Sequence, residues 1–103
     1  MAWYALLAYF FAGVFFANGL PHVMHGISGK KFPTPFTKPM VKGKSSPVLN
    51  VIWGVVNFFI GYVLFFGVGR FEFGFSLAAF MLILGGIVMS VTLSLIFGHM
   101  REH

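Results

Sequence analysis

The chain has 103 residues, of which 58% are hydrophobic and only 9% are charged, with a mean hydropathy of +0.90 and a formal net charge of +5. A single soluble domain of this length leaves much of its surface in water, so the composition excludes a soluble fold and indicates a membrane protein. The absence of cysteine excludes disulfides, thiolate metal sites and cysteine nucleophiles.

Three apolar stretches without a charged residue follow one another along the chain, over 3–20, 48–68 and 75–97. At about 1.5 Å per residue, each is long enough to cross a hydrocarbon core of about 30 Å as a helix. Lysines follow the first stretch rather than precede it, so we expect a retained helix and not a signal peptide. We therefore predict an all-α membrane protein, one domain over 1–103, with three transmembrane helices, a hairpin at 69–74 and a short tail at 98–103.

The loop over 21–47 determines the predicted orientation. It contains every lysine of the chain: Lys30, Lys31, Lys38, Lys42 and Lys44. Each of the two arginines has a glutamate one or two residues away, so this loop carries the whole net charge of +5. The positive-inside rule then places the loop and the C-terminus in the cytoplasm and the N-terminus outside. We expect these lysines to contact anionic lipid headgroups, and we predict no nucleic-acid partner.

The same loop contains all five prolines, so it does not form a regular helix. We predict a Pro-rich extended strap along the interface, with Phe32, Phe36 and Met40 dipping into the acyl boundary. We consider three roles for this loop: a solvated linker, a docking surface for a partner or lipid, or a ligand gate. Ser46 followed by Pro47 predicts a helix start, because serine is a good N-cap and proline a good first helical residue.

Polar and small residues recur at helical spacing in the second and third spans. The second span has Asn50, Gly54, Asn57 and Gly61, and the third has Gly86, Ser90, Ser94 and Gly98. Such stripes let helix backbones approach closely, and their commonest use is packing within a bundle or an oligomer. Asn57 lies near mid-membrane, where an unpaired amide is costly, so we expect it to pair with the serines of the third span.

Four histidines lie at the predicted cytoplasmic ends of the first and third spans: His22, His25, His99 and His103. Spacings of three and four residues put each pair on one side of a helix, as metal or haem ligation requires. Asn18 joins the first pair if the helix continues past Pro21. We predict no cofactor, with a transition metal or haem held by His22, His25 and His99 as the alternative to ordinary interfacial histidines.

Three segments together resemble a group of small uncharacterised bacterial integral membrane proteins. They are Asn18-Gly19-Leu20-Pro21-His22, Phe32-Pro33-Thr34-Pro35-Phe36, and Ser45-Ser46-Pro47 followed by Asn50-Val51-Ile52-Trp53-Gly54. The resemblance covers roughly Ala8 to Leu64. It implies a bacterial inner-membrane protein of similar topology and brings no activity, ligand or catalytic residue with it.

The sequence contains no signature of catalysis. Its two acidic residues, Glu72 and Glu102, fall on opposite sides of the predicted membrane, and no P-loop, dinucleotide fingerprint or nucleophile elbow is present. We expect a protein that is not an enzyme and acts by helix packing, as a homo-oligomer or an accessory subunit of a membrane complex. The alternatives are an oligomeric channel or facilitator for a small solute around the Asn50–Asn57 stripe, and a histidine-based metal or haem protein.

Overall fold

The computed structural model describes residues 2–36, 44–68 and 76–102, with side chains described as far as residue 99. Three α-helices follow in chain order: α1 (Trp3–Ile27), α2 (Pro47–Gly67) and α3 (Leu77–Glu102). All three are long and apolar enough to cross a membrane. The prediction of an all-α membrane fold with three transmembrane helices is therefore confirmed, and the chain has the architecture of a multi-pass membrane protein.

The first helix runs further than the apolar stretch that predicted it. It continues through Pro21 to Ile27, and the Pro21 carbonyl accepts a hydrogen bond from Nδ1 of His25 at 2.7 Å. Proline is tolerated inside membrane helices because neighbouring groups satisfy the backbone atoms that it disturbs. The helix ends where Gly29 adopts a positive φ of 72°, a conformation that glycine reaches without steric cost. His22 and His25 are consequently helical residues and not part of the loop.

The second helix begins where the sequence predicts. Oγ of Ser46 accepts a hydrogen bond from the backbone N–H of Leu49 at 3.2 Å, and Pro47 is the first helical residue. The predicted N-cap is confirmed. The third helix has a serine cap of the same kind, because Oγ of Ser76 accepts from the N–H of Ala79 at 3.1 Å. α3 extends to Glu102, beyond the predicted end of its apolar span.

α1 is the central helix of the bundle. It packs against both α2 and α3, whereas α2 and α3 do not pack against each other within the described residues. Glycines allow the close approach: a Cβ atom at Gly13 would collide with the Leu82 carbonyl, and one at Gly85 with the Phe10 carbonyl. On the other side of α1, a Cβ at Gly19 would lie 2.8 Å from the Gly54 carbonyl oxygen.

The burial of the three helices is unequal. Within the most apolar window of each helix, 33% of α1 is buried inside the protein but only 6% of α3. A small apolar cluster of Ala5, Tyr9 and Ala78 closes the end of the bundle opposite the loop. α3 therefore has one narrow side on α1, and most of its surface faces outward.

The loop between α1 and α2 folds back into the bundle. Phe32 and Ser45 form an isolated antiparallel bridge, with N–H···O distances of 3.2 and 2.9 Å. The Phe32 ring is only 9% exposed and lies 4.0 Å from the His25 ring and 4.6 Å from the Phe97 ring, between centroids. The prediction that Phe32 dips into lipid is wrong, because its ring packs between two helices.

The other aromatic of the Pro-rich segment behaves differently. Phe36 is exposed and its ring meets the edge of Trp53, with centroids 5.1 Å apart. Met40, the third residue expected at the acyl boundary, lies outside the described residues. The loop thus contributes Phe32 to the protein interior and leaves Phe36 at the surface.

Candidate functional site

Asn50 holds the loop against the start of α2. Its side chain is fully buried, and the two N–H groups of its amide are shared among three carbonyl oxygens: Phe32 at 2.9 Å, Ser45 at 3.2 Å and Ser46 at 3.0 Å. Carbonyl oxygens only accept hydrogen bonds, so these three contacts fix the orientation of the amide. Oδ1 of Asn50 consequently points toward His22 on α1.

His22 completes this contact from the central helix. Its Nδ1 lies 2.8 Å from Oδ1 of Asn50, and the residue is only 4% exposed. Because the amide oxygen accepts, Nδ1 of His22 carries the proton, and in the neutral ring Nε2 keeps its lone pair. His22 thus links three segments of the chain: α1, the loop and α2.

A second polar pair lies deeper in the bundle. Nδ2 of Asn57 donates to the Trp53 carbonyl at 2.8 Å, which turns Oδ1 of Asn57 toward α1. There it accepts from Nδ2 of Asn18, also at 2.8 Å. Asn57 is fully buried and Asn18 half-buried. These directed bonds satisfy an amide that would otherwise be unpaired in hydrocarbon.

The partner of Asn57 differs from the one expected from sequence. We predicted a serine of the third span, either Ser90 or Ser94, and that prediction is wrong because α2 does not pack against α3 within the described residues. The true partner was visible in the sequence as an asparagine in the first span. This residue is Asn18, which was expected to share a helix face with His22, four residues later. Spacing alone gave no reason to place it opposite Asn57.

The two predicted stripes have different surroundings. Asn50, Gly54, Asn57 and Gly61 are the buried residues of α2, and they face α1. On α3, Gly86 lies near Gly13 of α1, but Ser90, Ser94 and Gly98 are exposed. A single stripe on α3 therefore divides into a part that touches α1 and a part that faces outward.

The remaining predicted site residues lie at the loop end of the bundle. His25 stacks on Phe32, whereas His99 is exposed on α3. Among the described residues, no three histidine or acidic side chains come together in a group that could hold a metal ion. His103 lies outside the described residues.

Three of the five loop lysines can be located. Lys30, Lys31 and Lys44 are exposed, and they flank the end of α1 and the start of α2 at one end of the bundle. Lys38 and Lys42 lie outside the described residues. The exposed ammonium groups are free to meet water or headgroups at this end.

A cavity of about 210 Å³ lies beside the polar network. All three helices and the Pro-rich segment line it, through Asn18, His22, Pro33, Thr34, Pro35, Trp53, Met89, Leu93, Ile96 and Phe97. Nε1 of Trp53 is buried and has no hydrogen-bond acceptor among the described residues. Sequence analysis missed this cavity, although a tryptophan between two stripe asparagines was a signal that its N–H would need an acceptor inside the membrane.

Comparison with protein-family models, curated proteins and solved structures finds no match to the chain. The class that the structure defines is a three-helix, multi-pass membrane protein with a buried polar network at one end. The resemblance to small bacterial membrane proteins stays a prediction.

Proposed function

We propose that the protein acts by helix packing and assembles as a homodimer through the outer face of α3. The observation that carries this proposal is the exposure of Ser90, Ser94 and Gly98, three small residues that share one side of an almost wholly exposed apolar helix. Small residues on a lipid-facing side let a second helix approach to backbone distance. Among the described residues, no helix packs against that side of α3.

The serine hydroxyls add a directional argument. Thr92, on another side of α3, donates its hydroxyl to the Val88 carbonyl at 2.8 Å. Ser90 and Ser94 are exposed, so their hydroxyls are open to a neighbouring helix. A hydroxyl without a partner in hydrocarbon costs free energy, and a bond across a helix interface recovers on the order of 0.6–2 kcal/mol.

A second copy of the chain fits this face better than an unrelated helix. A serine hydroxyl both donates and accepts, so the same residue pairs with its own equivalent across a two-fold axis along the membrane normal. A groove of about 510 Å³ between α1 and α3 adjoins the face, with Phe16 and Leu20 on one wall and Ile87 and Val91 on the other. Side chains of a neighbouring α3 would fill it.

The test is the mass of the protein in mild detergent. We expect the wild type to run as a dimer and the Ser90→Leu/Ser94→Leu variant as a monomer, since two leucines keep the helices apart. Val88→Leu is the control: it places a leucine on another exposed side of α3 and should leave the dimer intact. A monomeric wild type, a dimeric double variant, or wild type purified with a different protein in place of a second copy would each contradict the proposal.

The two alternatives find less support in the geometry. The asparagine stripe of α2 is buried against α1 with its amides already bonded, so it would not line a channel between copies. The histidines do not gather with a third ligand among the described residues. Neither a solute path nor a metal site is therefore proposed.

We further propose that the loop end of the bundle faces the cytoplasm of a bacterial cell, with the protein in the inner membrane. The exposed lysines at this end support that orientation through the positive-inside rule. The chain has no cysteine, so single-cysteine variants can be labelled cleanly from one side. Lys44→Cys and His99→Cys should react together from the cytoplasmic side and Glu72→Cys from the other, whereas labelling of the first two from different sides would contradict the topology.

A further inference from the structure

The cavity beside the polar network lies between α2 and α3. α1 forms its back, residues 33–35 of the loop line one part of it, and Trp53 of α2 and Leu93 of α3 line its sides. Since α2 and α3 do not pack against each other, no described helix covers the gap between them. Such a gap would let a molecule dissolved in the membrane reach the cavity without crossing the protein.

The polar groups at the cavity are few and specific. The indole N–H of Trp53 is a buried donor with no acceptor among the described residues. Asn18 uses its amide nitrogen on Asn57, which leaves its oxygen as an acceptor, and His22 uses Nδ1 on Asn50, which leaves the Nε2 lone pair. One donor and two acceptors thus belong to residues that line a mostly apolar space, to which Thr34 also contributes.

From this arrangement we infer that the cavity binds the ring headgroup of a quinone or quinol dissolved in the bilayer. A ring oxygen accepts from the Trp53 indole, and the hydroxyl of the reduced form donates to Asn18 or His22. The hydrophobic tail leaves between α2 and α3 into the lipid. Mostly apolar walls with a few polar groups that orient the ligand are typical of small-molecule sites.

The size of the cavity agrees with a single ring. An apolar protein cavity of about 150 Å³ accommodates benzene, and the cavity here, at about 210 Å³, leaves room for ring oxygens and small substituents. A porphyrin, with four pyrrole rings, is too large. The inference is independent of the proposed dimer, because Leu93 and Phe97 line the cavity whereas Ser90 and Ser94 form the outer face of α3.

Trp53 itself provides the readout. The chain has two tryptophans, so Trp3→Phe leaves Trp53 as the only one, and quinones quench tryptophan fluorescence on contact. Titration of this variant in detergent with decylubiquinone should give saturable quenching. Decylbenzene, which has the tail and ring but no oxygen, should compete at least tenfold more weakly.

Two variants locate the binding. Leu93→Phe fills the cavity and should abolish saturable quenching, while Leu95→Phe adds the same bulk to an exposed position on the same helix and should leave it unchanged. Trp53→Phe removes the hydrogen-bond donor. Binding to this variant is measured as the quinone that the protein retains after desalting. We expect it to be roughly fivefold weaker than in the wild type, which corresponds to the loss of one neutral hydrogen bond.

Three results would overturn the inference. The first is quenching that rises linearly and equally in wild type and Leu93→Phe, which would mean that the quinone only collides from the micelle and that water or lipid fills the cavity. The second is equal binding of decylbenzene. The third is undiminished retention of quinone by Trp53→Phe, a result that does not depend on whether Leu93→Phe folds.

Discussion

The two sides of α1 hold their neighbours by different means. Toward α2, two side-chain pairs cross the interface beside the close backbone approach of Gly19 and Gly54: Asn18 with Asn57 and His22 with Asn50, each at 2.8 Å. Toward α3, the close contacts are backbone approaches at Gly13 and Gly85. A directed hydrogen bond fixes rotation and register together, whereas a backbone approach mainly sets the distance between two helices.

The difference assigns distinct roles to the two outer helices. Side-chain hydrogen bonds hold α2 against α1 in one register, and Asn50 also bonds the loop to α2. The relative positions of α1, α2 and the loop are therefore fixed. α3 is attached along a narrow side and leaves most of its surface outward. The helix with the least internal packing is the one that has surface left for another chain.

The largest effect is expected from adding one methyl group where α3 packs against α1. In Gly85→Ala the new Cβ collides with the Phe10 carbonyl, which is backbone and does not move independently. We expect the free energy of unfolding in mild detergent to fall by about 1–3 kcal/mol, as for other overpacked sites. Circular dichroism during thermal unfolding measures the change.

Gly86→Ala, one residue away on the same helix, is the matched control for this substitution. A Cβ at Gly86 would lie 3.8 Å from the Gly13 carbonyl oxygen, an ordinary contact distance, and alanine is favoured over glycine in a helix by roughly 0.5–1 kcal/mol. The control should therefore be neutral or slightly stabilising. Equal loss of stability in both variants would show that α3 does not approach α1 through Gly85.

A smaller effect is expected where the loop meets α2. Asn50→Leu leaves the Nδ1–H of His22 without a partner, at about 1–3 kcal/mol for a buried group, while the Phe32 carbonyl keeps only its bond from the Ser45 N–H. The loop should then open more often, and trypsin should cleave at Lys30 and Lys31 at least fivefold faster. Ile52→Leu, at an exposed position of α2, is the control. An unchanged cleavage rate in Asn50→Leu would mean that its bonds do not hold the loop closed.

Hydropathy was sufficient to predict the three helices, because a charge-free apolar stretch of this length has few other structures available in lipid. It was not sufficient at Pro21. Proline is usually a helix boundary, and here the helix continues through it and His25 bonds back to its carbonyl. Local sequence did not contain that information.

The site was less predictable than the fold for a related reason. Periodicity identifies residues such as Asn57 that must face another helix, but it does not say which helix. The burial of Phe32 and the cavity near Trp53 depend on the path of the loop, which the sequence pattern left open between an interfacial strap and other arrangements. Both features arise only after α1, α2 and the loop are assembled.

The smallest expected effect tests which helix Asn57 faces. In a double-mutant cycle with Asn18→Leu and Asn57→Leu, we expect a coupling energy of about 0.6–1.7 kcal/mol, the range measured for hydrogen bonds between membrane helices. The cycle that pairs Asn57→Leu with Ser90→Ala should be additive within about 0.5 kcal/mol, because α2 and α3 do not pack within the described residues. If the second cycle showed the larger coupling instead, Asn57 would face the third helix, and α1 would lose its position between the other two.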